Sequence, residues 1–303
     1  MRIVKSIVVL TALLAPWCAA QGPRRILVVT AGSADYIWAA GGTLAAFIQN
    51  GYTVDVAQFG NDEKLSGGLS PSQTRLANVE DGKQAAKLLG VHDTVYMAHK
   101  SGETGYVSSS EMRTQLFALI RHLRPQIIFI PDPYMHYQAD QDQFYVGKMA
   151  EEAWGYSGAS TFANEVERMG FKPYGAPEIY YYAVSRPYRS GEGAEGQAQF
   201  LPVDITSTID IKCAAIELLR TRNRVQALQA QQRLDRFGRS GALPHPLDEG
   251  SVRKLVRAYA EELAETIGRR HGFRYGEEFN HVNTRAGADR LPAHVRERAV
   301  PKR

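Results

Sequence analysis

The chain has 303 residues, 44% hydrophobic and 22% charged, with a formal net charge of +4. That is enough for one large domain with a full core, or two small ones, and it excludes disorder on the scale of a domain. Arg2 and Lys5 lie in the first segment, so the remainder carries about +2, too little to argue for nucleic-acid binding.

Residues 7–14 form an apolar run behind Arg2 and Lys5, broken by Pro16 and followed by Cys18, Ala19 and Ala20. This is the pattern of a signal peptide over residues 1–20, too short to span a bilayer, and it implies a secreted or periplasmic protein. The plainer alternative is a buried first element. Bulky Trp17 argues against lipid attachment at Cys18. Without residues 1–20 only Cys213 remains, so no internal disulfide is expected.

Residues 25–30 read as a buried parallel strand, being continuously apolar after Arg25. Residues 39–49 follow with helical spacing and stop at Gly51. A strand over 53–59 leads into a polar loop over 60–72. Then come a helix over 74–89, a strand over 93–97, a helix over 108–123 and a strand over 126–131. This order predicts a three-layer α/β/α domain with a Rossmann-like, mainly parallel sheet. Beyond it the spacing predicts a helix over 146–154, an aromatic strand over 178–184 and a Gly-rich excursion over 190–199. A long helical stretch over 204–232 and a helix over 251–270 follow. There is no internal repeat, interior transmembrane segment or linker, so residues 21–284 read as one domain. Residues 285–303 are a basic tail, with Arg285, Arg290, Arg296, Arg298, Lys302 and Arg303 against Asp289 and Glu297. It reads as a solvated, poorly ordered end, with attraction to an anionic surface as the minor reading.

Ligands of open parallel sheets sit beyond the C-terminal strand ends. Two polar segments fall there, residues 31–36 and residues 131–144. Asp132, Asp140 and Asp142 suit a hard cation such as calcium or magnesium, or they make caps and turns. Gly41, Gly42 and Thr43 either approach a phosphate or allow tight packing. Ser33 lacks the elbow of a serine nucleophile. Cys213 reads as core rather than catalytic, and His136 is the one histidine in these segments. Tyr180, Tyr181 and Tyr182 read as a half-buried strand, with a sugar-stacking platform as the alternative.

These residues carry a resemblance. Ala31-Gly-Ser-Ala-Asp-Tyr-Ile-Trp38 and Gly41-Gly-Thr-Leu-Ala45 match, without a gap, the first motif of the PIG-L/LmbE family, A-H-P-D-D-[EY]-x-W then G-G-T-[IL]-A. Residues 85–91, Arg124-Pro125 and Asp132-Pro133 agree with the family, as do Val203 to Thr206, Lys212, and Tyr275 to Phe279. The family's H-P-D-H motif falls on Asp140-Gln141-Asp142-Gln143. The likeness runs over roughly residues 24–280. It implies zinc-dependent hydrolytic deacetylation of N-acetylglucosamine conjugates, with some relatives doing other metal-assisted or hydratase chemistry.

Carried over position by position, the zinc ligands fall on Gly32, Asp35 and Gln143. The general base falls on Ala34 and the first His of H-P-D-H on Asp140, while Asp142 is kept. Catalytic zinc takes about three protein donors of His, Cys or carboxylate type. Gly32 has no side chain, a neutral amide is a poor donor, and Ala34 accepts no proton. The expectation is a degenerate zinc site and a non-catalytic relative that binds a sugar or glycoconjugate and holds no cofactor. The alternatives are a hydrolase with a rebuilt calcium or magnesium site on Asp35, Asp140 and Asp142, and a partner subunit or scaffold. Enzyme status and oligomeric state stay open. If only the groups were lost, Gly32→His, Ala34→Asp and Gln143→His together should restore zinc binding.

Overall fold

Strand β1 (Arg25–Thr30) sends alternate side chains to opposite faces of its sheet, as the two-residue period of a strand requires. Ile26 and Val28 enter one apolar cluster, Leu27 and Val29 the other. The computed structural model describes residues 24–134, 140–184, 200–244 and 246–284. The segment read as a signal peptide, His136, the Gly-rich excursion and the basic tail lie outside the described residues.

Strands β2 (Thr53–Gly60), β3 (Asp93–His99), β4 (Ile127–Pro131) and β5 (Glu178–Tyr182) run parallel with β1. With β6 (Phe200–Asp204) and β7 (Gly276–Asn283) they form one sheet, ordered β3-β2-β1-β4-β5-β7-β6. β7 is antiparallel to both neighbours. On one face lie α1 (Asp35–Gln49), α2 (Pro71–Leu89), α6 (Ile209–Glu217) and α8 (Glu249–His271). On the other lie α3 (Ser109–Leu123), α4 (Gln141–Tyr156) and the short α5 (Asn164–Arg168). α7 (Arg220–Arg236) packs on α2 and α8. The expected three layers are present, and antiparallel β7 is an addition to the parallel sheet.

Three features of the second half differ from expectation. The stretch over 204–232 is not one helix: β6 ends at Asp204, and α6 and α7 are separate helices. Asn223 Nδ2 donates to the Ile216 carbonyl at 2.7 Å, satisfying an end-of-helix acceptor at this break. β7 is polar in sequence yet central between two strands, because its buried carboxylates find partners. Helix α4 starts at Gln141, earlier than the apolar spacing indicates, because Asp140 caps it, accepting the Asp142 N–H at 3.0 Å.

Glu277 of β7 also explains Gly41-Gly42-Thr43. Its carboxylate accepts the Gly42 and Thr43 N–H groups, at 3.0 and 2.8 Å, and Lys212 Nζ at 2.7 Å. A Cβ on Gly42 would lie 2.8 Å from Ile205 Cδ1. These amides are engaged by the protein, so the segment serves packing and not a phosphate. Tyr180, Tyr181 and Tyr182 are all buried on β5, and Tyr182 donates to the Val29 carbonyl at 2.9 Å. They are core, not a stacking platform. Cys213 is a buried free thiol in the same cluster as α1.

Candidate functional site

The strand order reverses between β1 and β4, so the chain leaves their C-terminal ends in opposite directions and opens a crevice there. A cavity of about 510 Å³ occupies this place. Gly32, Asp35, Asp140 and Asp142 line it, together with Asp62, Lys64, Ser101 and Arg222. Four of the six substituted or retained family positions therefore meet. The other two do not. Gln143 is buried in the first turn of α4 and lines a second cavity, which shares Asp35 and Arg222 with the first. Ala34 belongs to the apolar cluster beneath α1 and is 1% exposed.

Asp35 opens α1 and is buried. Its Oδ2 accepts the Gly32 N–H at 3.0 Å, and its Oδ1 accepts Arg222 Nη2 at 3.2 Å. Burial pushes its carboxyl up to about 7; the Arg222 guanidinium pulls the other way, and Asp140 and Asp62 add to the rise.

Asp62 is fixed from three sides. Its Oδ2 accepts the Ser33 N–H and Gln58 Nε2, both at 2.9 Å, and its carbonyl accepts Asn78 Nδ2 at 2.9 Å. Its φ of 54° lies in the left-handed region, uncommon outside glycine and tolerated best by Asp and Asn. A Cβ on Gly32 would lie 2.7 Å from Asp62 Oδ1, 3.3 Å from Asp35 Oδ2 and 3.4 Å from Arg222 Nη1. The space of a side chain at position 32 is thus filled by a carboxylate and a guanidinium from elsewhere in the chain.

Asp142 is likewise engaged. It accepts the Thr104 N–H at 3.2 Å, the Thr104 hydroxyl at 2.8 Å and the Gly102 N–H. Asp140 faces the cavity, and burial, reinforced by the Asp142 charge, raises its carboxyl above the ordinary range.

The donor chemistry does not fit zinc. Among the described residues no three His, Cys, Asp or Glu side chains are grouped to hold a metal ion. Asp35, the one carboxylate at an expected zinc-ligand position, already binds a guanidinium. Asp35 and Asp142 have their carboxylate oxygens committed, so a hard cation would have to displace bonds already made. What the arrangement offers instead is a polar, largely acidic recess with a fixed guanidinium at its floor.

Arg222 and Asp62 were not singled out in the sequence. Asp62 follows β2 into the same crevice, a topological signal once the strand order is known. Arg222 is 187 positions from Asp35, and no local motif marks it.

Residues 27–154 match the family model described as PIG-L: GlcNAc-PI de-N-acetylase. The diacetylchitobiose deacetylase of Thermococcus kodakarensis is 24% identical over 197 residues, 64% of this chain and 68% of that protein. The 4-oxalmesaconate hydratase of Pseudomonas putida is 26% identical over 209 residues, 65% of this chain and 73% of that protein. The solved N,N'-diacetylchitobiose deacetylase of Pyrococcus horikoshii superposes with a TM-score of 0.68 at 20% identity, covering 90% of this chain and 88% of that one, which shows the fold. Residues 27–154 thus match the PIG-L family model, and the three-layer fold around them is that of a solved diacetylchitobiose deacetylase.

Proposed function

We propose that this protein is an exported, non-catalytic member of its family, one that binds a sugar or glycoconjugate in the cavity at the ends of β1 and β4 and holds no zinc there. The observation that carries the reading is the Arg222–Asp35 pair beside Gly32. A guanidinium occupies the one ligand position that keeps its carboxylate. Without a metal a water molecule keeps its bulk acidity, and Ala34 offers no base. The cavity still suits a polyhydroxylated ligand. Asp62 and Asp140 present acceptors for ring hydroxyls, while Lys64 presents donors.

Calorimetric titration with N-acetylglucosamine and diacetylchitobiose, paired with an assay for released acetate, tests this. Binding without acetate release, unchanged by added zinc, supports it. Zinc-dependent release that Asp35→Ala abolishes would overturn it. The second reading, a hydrolase with a carboxylate metal site, is favoured by the gathering of Asp35, Asp62, Asp140 and Asp142 on one cavity. Stoichiometric metal in the purified protein would support it. Stable association with another protein, with no response to either sugar, would favour a scaffold. An N-terminus near residue 21 in protein recovered outside the cytoplasm would support export.

A further inference from the structure

The Arg222–Asp35 pair also borders a second cavity, about 480 Å³, walled by residues of α1, α7 and α8 and by Val184 beyond β5. Its lining differs in kind from the first. The first sets four aspartates against Arg222 and Lys64. The second presents Trp38, Leu255, Tyr259 and Leu263, with the amides of Gln226 and Gln229. Its charged groups are Arg222, Arg233 and Asp35. Asp35 is already matched by Arg222 and by the Gly32 N–H. Arg233 is not matched: it donates to the Gln229 carbonyl of its own helix at 3.3 Å and makes no ion pair among the described residues.

Two donors buried in this wall, Trp38 Nε1 and Arg222 Nε, have no hydrogen-bond partner. Buried donors are nearly always satisfied, so two orphans beside one cavity ask for an explanation. A concave, mostly apolar surface with a few convergent polar groups is the general form of a small-molecule site. The polar groups here carry an excess of positive charge, and guanidinium pairs with carboxylate in a fixed, two-pronged geometry.

We propose that this second cavity binds an organic carboxylate with an aliphatic or aromatic body. The carboxylate is held by Arg233, and the body lies against Trp38, Leu255 and Leu263. The proposal does not rest on the sugar reading, which concerns the other cavity.

Titration of the purified protein with octanoate and with 3-phenylpropionate, each beside its neutral amide, tests it. At least one acid is expected to bind, tenfold or more tightly than its amide. Arg233→Gln removes that preference, weakening the acid about tenfold while sparing the amide. Ala230→Trp fills the cavity and abolishes both. Arg233 is exposed and Ala230 half-buried, so both variants should fold, which thermal melting checks. N-acetylglucosamine titrations stay unchanged in both variants. No binding of either acid, amides binding as tightly as acids, or acid binding unaltered in both variants would overturn the proposal. Acid binding without any sugar binding leaves this proposal standing and removes the sugar reading.

Discussion

Two cation–carboxylate pairs touch helix α1, and they are built differently. Lys212–Glu277 is closed: the side chains are 4% and 1% exposed, and both Glu277 oxygens are used, by Lys212, Gly42 and Thr43. Arg222–Asp35 is open: the Arg222 side chain is 18% exposed, its Nε has no partner, and two cavities border it. The first pair lies in stretches that follow the family's pattern and ties β7 to α1. The second lies where the chain departs from that pattern. Buried charge serves cohesion in one place and leaves groups exposed to a ligand in the other.

The sharpest break of this comparison is Glu277→Gln. It leaves the Lys212 ammonium buried without its counter-ion, at a cost of about 3–5 kcal/mol. Urea unfolding should show a lower midpoint at unchanged slope. A loss no larger than that of Arg222→Met would collapse the distinction between the pairs.

Next comes the rebuilt zinc site, and here the structure sharpens what the sequence implied. Gly32→His with Gln143→His should not bind zinc, because Asp62 and Arg222 fill the space. Adding Asp62→Ala and Arg222→Met should raise zinc affinity at least about a hundredfold, about 2.7 kcal/mol. Competition with a chelating dye measures this in folded protein. Equal affinity in the two variants would mean that Asp62 and Arg222 do not guard the site. Ala34→Asp adds nothing to binding in either background, since position 34 faces the apolar cluster.

Smaller is the effect of Arg222→Met alone, about 1.5–3 kcal/mol at pH 8, the worth of a hydrogen bond between charged groups. Its pH dependence is more telling. The Asp35 carboxyl is raised to about 7 in the folded protein, against about 4 unfolded. Between those values the folded state holds a proton that the unfolded chain has released. Its contribution to stability therefore falls as pH rises through this window and levels off above it. Arg222→Met removes a charge that pulls the other way, so the fall should continue above pH 7. Asp35→Asn should lack it in both backgrounds. A flat profile in the wild type would show that the Arg222 charge outweighs burial. The smallest effect, about 1 kcal/mol, is expected for Tyr182→Phe, which leaves the Val29 carbonyl short of one donor.

The first half of the fold was legible because its strands are continuous apolar runs joined by amphipathic helices. β6 and β7 were not. β6 reads Phe-Leu-Pro-Val-Asp, and its proline is tolerated because the strand is at the edge of the sheet. β7 carries Glu277 and Glu278, whose partners Lys212, Arg270 and His271 lie on helices. Polar periodicity cannot show a buried pair before the helices are placed. The first turn of α1 read as loop because Ala34 supplies no capping side chain. In the site, the motif frame located Gly32, Asp35, Asp140 and Asp142 on one cavity. What fills the space above Gly32 is tertiary, and nothing local to residues 31–38 encodes it.

The guanidinium over Gly32 has one further consequence. A metal ion is borrowed from the surroundings, lost to chelators, and dependent on supply. Arg222 is translated with the chain and keeps its charge at every pH at which proteins fold. The charge facing Asp35 is therefore present in every folded copy, at a fixed stoichiometry of one, however poor in metal the medium becomes.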